Sequence, residues 1–146
     1  MLAKYYRLHI LNSTGQTLTY DDGARLSVAL MPWKFTSGIL DYGTQIDDAA
    51  AFLTTAGTLA TAVSTEGTVI DNSSNLYLGV KGYFSAIADL AATDGPLYLY
   101  LEESTNNSDW PSDQAEFTIA EDLRLVCVLT MEPDAVDESR GTNFEF

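Results

Sequence analysis

Hydrophobic residues along this chain recur mostly at every second position, the signature of strands with one face turned inward. In residues 97–102, Leu97, Leu99 and Leu101 alternate with Tyr98, Tyr100 and Glu102. Residues 5–11 place Tyr6, Leu8 and Ile10 on one face and Tyr5, Arg7 and His9 on the other; residues 25–31 repeat the pattern with Leu26, Val28 and Leu30. Further strands are predicted at 17–20 (pairing back on the first), 58–64, 68–70, 76–84, 117–119 (pairing with 97–102) and 123–131. The last is the most hydrophobic and so the expected centre of the core. Gly79 and Gly82 inside the 76–84 strand predict a bulge or a close backbone contact. Pro32 lacks an amide donor, so a central strand is expected to stop there, leaving residues 33–40 as an irregular arm over the core.

Helical spacing is rarer. Residues 44–57 carry a cap-like Thr44 and Asp47, a stripe of Ile46, Ala49, Ala50 and Leu53, and Gly57 as a stop signal. One or two further helical turns are expected at 86–92. Many strands separated by turn residues, with no repeat or linker, predict one all-β domain over residues 1–146. The expected architecture is an antiparallel β-sandwich, of plain or jelly-roll type, with one short helix and extended terminal arms. Residues 132–146 form the acidic C-terminal arm in this scheme.

A 146-residue domain buries about 68–70% of its unfolded surface, enough for a core without disulfides or metal. Charge changes the picture more: 21 acidic against 7 basic side chains give a formal net charge of −14. Such a chain repels polyanions and offers no Lys/Arg cluster, which argues against nucleic acid and against an anionic membrane surface. No apolar run reaches the roughly 18–20 residues that span a bilayer. The N-terminus mixes charge with aromatics and does not read as a signal peptide, so synthesis and folding in a cytosol are expected.

Reaction chemistry is sparse. His9 is the sole histidine and reads as an outward polar strand residue; Cys127 is the sole cysteine and reads as a small buried hydrophobe. Neither a Gly-x-Ser-x-Gly elbow nor a phosphate-binding glycine loop occurs. Glu102, Glu103, Asp109 and Asp113 read as a solvated acidic face rather than a glycosidase-like pair. The loops 21–22, 71–75 and 106–113 are rich in oxygen ligands but lack EF-hand spacing, and read as turns rather than calcium sites. The Asn-x-Ser/Thr triplets at Asn12, Asn72 and Asn106 likewise read as surface turns. No catalytic, cofactor or metal residue is assigned, and an enzyme is not expected. The 8 tyrosines, 6 phenylalanines and 2 tryptophans say more, because aromatic residues enrich interface cores. The candidate contact residues, packed either inside the sandwich or against another chain, are Tyr6, Trp33, Phe35, Tyr98, Tyr100, Trp110, Phe144 and Phe146.

Residues 97–111 read Leu-Tyr-Leu-Tyr-Leu-Glu-Glu-Ser-Thr-Asn-Asn-Ser-Asp-Trp-Pro. This stretch resembles a recurring hairpin of small virion proteins of tailed bacteriophages. There, a strand ending in Leu-Glu-x-Ser-Thr leads into a short loop and an aromatic-Pro pair. Asn106-Asn107 stands where Asp-Gly-Gly is common, and the remaining chain shares only size, acidity and β content. The resemblance implies a capsid decoration (cement) protein, made in the host cytoplasm and carried on the capsid exterior. Its implied partners are the major capsid protein and copies of itself, as a homodimer or homotrimer. Other head, tail or fibre accessory roles are the alternative within the same group. A carbohydrate-binding sandwich, with Trp110 as the first residue to test, and a carboxylate-pair hydrolase are the rival classes.

Overall fold

A computed structural model describes residues 1–19, 26–46, 58–88, 95–131 and 138–146. The alternating leucines of β9 (Gly95–Ser104) and the matching face of β1 (Tyr5–Asn12) lie side by side, antiparallel, at the centre of one sheet. Its strand order is β10 (Arg124–Met131), β9, β1, β6 (Ser64–Glu66), with β7 (Ile70–Asp71) sharing the β6 edge of β1. The second sheet runs β11 (Glu138–Glu145), β8 (Gly79–Ala88), β3 (Leu26–Thr36), β4 (Ile39–Tyr42), again antiparallel throughout. A ribbon of β2 (Leu18–Thr19) and β5 (Thr58–Leu59) completes the strands, and Ile119–Asp122 forms a short helix, α1.

The two large sheets pack face to face, as the alternation requires. Sheet one contributes Tyr6, Leu8, Ile10, Leu97, Leu99, Leu101, Leu129 and Met131; sheet two contributes Leu26, Val28, Leu30, Val80, Phe84, Ala86 and Phe144. Each large side chain so buried stabilises the fold by about 1.5–3 kcal/mol. The chain is thus the all-β sandwich its pattern predicts.

Several details depart from that pattern. β3 continues straight through Pro32. Leu30 exchanges hydrogen bonds with Ile46, and the Pro32 carbonyl accepts from the Gly43 amide at 2.8 Å, so both residues turn their polar groups away from β8. The missing donor of Pro32 therefore falls outside the β3–β8 ladder, and the central strand survives. Residues 33–42 are no irregular arm: Ser37 (φ 53°) and Gly38 (φ 82°) make a two-residue type I′ turn, and β3 and β4 form a regular hairpin. Thr44 to Ile46 run extended into the Leu30–Ile46 bridge; residues 47–57, where most of the predicted helix falls, lie outside the described residues.

Ala86 to Ala88 belong to β8 rather than to a helix, and residues 89–92 lie outside the described set. β2 pairs with β5, not with β1. Residues 117–119 do not pair with β9, whose neighbours are β1 and β10. β10 is an edge strand, with Leu125 and Val128 on its exposed positions; hydrophobicity along it marks a surface rather than the core centre. The C-terminal segment is no loose arm from residue 138 onward. β11 pairs along β8, and Phe146 exchanges backbone hydrogen bonds with Val80 (2.7 and 3.0 Å).

Two of the three asparagines read as surface turns are buried hubs. Asn12 Nδ2 donates to the carbonyls of Gln16 and Leu59, while its Oδ1 accepts from the Thr14 amide, tying β1 to the ribbon. Asn72 does the same for the 72–77 loop.

Gly82 shows the close contact its position predicts. A Cβ there would meet the Phe144 ring and stand 2.8 Å from the Ala29 carbonyl oxygen, a backbone atom with no room to retreat. Gly82→Ala is expected to destabilise the protein by about 1–3 kcal/mol, read as a lower urea midpoint at unchanged slope. An unchanged midpoint would show that Phe144 is not locked over this glycine.

Candidate interaction surfaces

The outer face of sheet one carries the polar residues of the β1–β9 alternation. Arg7 stands opposite Glu102 and His9 opposite Tyr100 in the antiparallel register. After β9 the chain crosses back over this face, placing Trp110 and the 3-10 turn Pro111–Asp113 on top. Beneath them the Glu102 side chain is fully buried. Its Oε2 accepts from Arg7 Nε at 2.5 Å and lies 2.7 Å from His9 Nε2, and its Oε1 accepts from the Ser112 amide at 2.7 Å. Arg7 also reaches Ser112 Oγ (2.8 Å) and Glu66 (3.1 Å), and its guanidinium lies 4.4 Å from the centre of the Trp110 ring.

This geometry refines one expectation and overturns another. His9 takes the expected position on the outer face of sheet one but is buried there, and Glu102 is buried rather than part of a solvated face. Burial alone would raise the Glu102 carboxyl, but hydrogen bonds from Arg7, Ser112 and His9 outweigh it and hold the group below its usual range. Both carboxylate oxygens are engaged, and a guanidinium accepts no proton, so the cluster acts as a clamp on the 105–113 crossing. A signal existed in the sequence: pairing β1 with β9 puts a cation directly across from an anion.

The other acids of the hairpin also accept hydrogen bonds, Glu103 and Asp113 from backbone amides and Asp109 from a side-chain amide. Glu103 accepts from the Ala3 amide (2.8 Å), Asp109 from Asn106 Nδ2 (2.5 Å) and Asp113 from the Trp110 amide (3.2 Å). Asn106 Oδ1 and Asp71 Oδ1 accept from loop amides, which is turn chemistry. Residues 21–22 lie outside the described residues. Burial pushes the Cys127 thiol up to about 11, which opposes a thiolate at neutral pH.

The eight candidate contact residues separate by burial. Tyr6, Tyr100, Trp110 and Phe144 are consumed inside the single chain, a correction to the alternative in which they face a neighbour. Trp33, Tyr98 and Phe146 are half-buried, and Phe146 sets its ring against Tyr6 (6.3 Å, edge-on) and Phe144 (5.9 Å, stacked). Of the eight, only Phe35 is largely exposed, at 56%.

Phe35 belongs to a larger surface that the alternation did not reveal. On the outer face of sheet two, Trp33 pairs with Tyr42 and Phe35 with Leu40, and Tyr83 follows on β8. Leu40, Tyr42 and Tyr83 are 43%, 46% and 46% exposed. Beside them lies a shallow cavity of about 300 Å³ lined by Ala29, Met31, Lys81, Tyr83 and Asn143. On the described strand positions of this face the charged side chains are Lys81 and Glu145, directly opposite each other, so the face is neutral within a molecule of charge −14.

Searches against protein-family models, curated proteins and solved structures find no match to this chain.

Removing the Glu102 carboxylate leaves Arg7 and His9 without their buried partner. Glu102→Ala is expected to cost about 3–5 kcal/mol in urea unfolding. In the wild type the Glu102 contribution is complete above pH 4.5, its ordinary value, and is lost as pH falls through the lowered folded-state value. Glu102→Gln should therefore narrow its stability gap to wild type as pH drops below 4.5; a pH-independent gap would refute the linkage.

Proposed function

We propose that this protein is a structural component of a bacteriophage virion, binding the outside of the capsid lattice and stabilising it through the outer face of sheet two. The observation that carries the reading is the outer face of sheet two, where exposed Phe35, Leu40 and Tyr42 adjoin half-buried Trp33, with Lys81 and Tyr83 following on β8. Interface centres are depleted of charge and enriched in aromatics, and a contiguous exposed patch of this kind marks a contact site. The adjoining cavity offers a socket for a partner's side chain.

The opposite side of the sandwich supports an orientation. Asp109 and Asp113 are exposed on the crossing above sheet one, and Glu116, Glu121 and Asp122 on the segment that follows it into α1. With sheet two seated on the major capsid protein, these acids would face solvent and keep particles apart by repulsion. Copies of the chain would then meet, as dimers or trimers, around lattice symmetry points. The rival reading through Trp110 loses its platform, because that indole is buried against Arg7 and presents no free face to a sugar.

Co-sedimentation with assembled phage capsids tests the proposal. Phe35→Ser with Leu40→Ser should weaken capsid binding about a thousand-fold, at about 2 kcal/mol per anchor, while the lost cross-strand pair costs at most about 1 kcal/mol of fold stability. Capsid binding unaffected by the double substitution, or no binding by the wild type, would sink it.

A further inference from the structure

At the side of the sandwich, where β7 of sheet one nears residues 43–46 beside sheet two, the sheets leave a cavity of about 180 Å³. Tyr6, Thr44, Asp71 and Tyr77 line it with polar groups, and Ile46 and Ile70 supply an apolar wall. It is separate from the exposed hairpin face and needs neither Phe35 nor Leu40.

The walls are set in advance. The buried Asn72 side chain grips the backbone of Tyr77 from both sides, accepting from its amide (2.7 Å) and donating to its carbonyl (3.0 Å). The Asn72 amide is in turn fixed to the Lys4 carbonyl at 2.7 Å. Leu76, exposed and without a glycine's freedom, is held at φ 52° so that the loop turns Tyr77 back toward the sheets.

Electrostatics restrict the occupant. The Ser73 amide donates to Asp71 at 2.7 Å and favours its ionised form, and the whole molecule carries −14, so an anion is repelled. Lys34 places its ammonium 5.2 Å from the centre of the Tyr77 ring, and that positive charge beside the cavity opposes a ligand cation. A neutral ligand remains, and at about 30 Å³ per water the volume equals about six waters. We propose that this cavity binds a single neutral sugar ring, with hydroxyls on Asp71, Thr44 and the tyrosine O–H groups and its apolar face on Ile46 and Ile70.

The test is a calorimetric or NMR titration of the full chain with D-glucose, D-galactose and N-acetylglucosamine. At least one should bind saturably, with a dissociation constant of about 1 mM. Asp71→Ala should weaken that binding about ten-fold, and Thr44→Trp, which fills the mouth, should abolish it. Both positions are exposed, so circular dichroism should match wild type, and Asp71→Ala, which loses the Ser73 amide bond, should cost at most about 1 kcal/mol of stability. Phe35→Ser should bind the sugar normally, which separates this site from capsid attachment. No saturable binding of any of the three sugars, or equal affinity in Asp71→Ala, overturns the proposal whatever the outcome with capsids.

Discussion

The register of β1 against β9 is the constraint on which the molecule depends. It places Leu8 opposite Leu101 and Ile10 opposite Leu99 on the inner face, and Arg7 opposite Glu102 on the outer face. A slip of one residue would turn every side chain of the strand over, driving Arg7 and His9 into the apolar interior. Two terms of different kind enforce the same alignment. Leucine burial supplies most of the free energy without direction. The Arg7–Glu102 pair contributes less net stability but makes the wrong register costly, since an unpaired buried charge is penalised by several kcal/mol.

That clamp also decides how the two outer faces differ. On sheet one, polar residues at the centre call for a cover, and the 105–113 crossing with Trp110 supplies it, leaving acids on its own exterior. On sheet two no described segment plays that part over Phe35, Leu40 and Tyr42, and the hairpin stands exposed. Exposed acids therefore gather over sheet one, beside the exposed Leu125 and Val128 of its edge strand, whereas the described strand positions on the outer face of sheet two carry few charges. An asymmetric surface of this type gives a preferred side for contact without any deep groove.

The fold class was legible because period-2 alternation marks the apolar inner faces of β1, β3 and β9, although β1 and β9 bury polar residues on their outer faces as well. Strand order was not, because β6, β7 and β10 find their partners across the chain and nothing local states the pairing. β10 misled because edge strands here carry exposed Leu125 and Val128, so hydrophobicity did not equal depth. Pro32 misled because its effect depends on which side of the strand its nitrogen faces. His9, Glu102 and Trp110 come together only because the crossing after β9 folds back over sheet one. The exposed hairpin face became visible only once Ser37-Gly38 was seen as a tight turn.

The distance along the chain between Arg7 and Glu102, 95 residues, carries a kinetic consequence. β1 is translated early, yet its main partner arrives only after both β3 and β8. The β3–β4 hairpin closes over two residues and belongs to the class of contacts that form in about 1–10 μs, whereas the entropy cost of closing the β1–β9 loop must be met before any ladder offsets it. Such non-local sandwiches fold in about milliseconds to seconds. During that interval the Leu8–Ile10 stretch has open edges, so crowding of nascent chains is most hazardous at this strand.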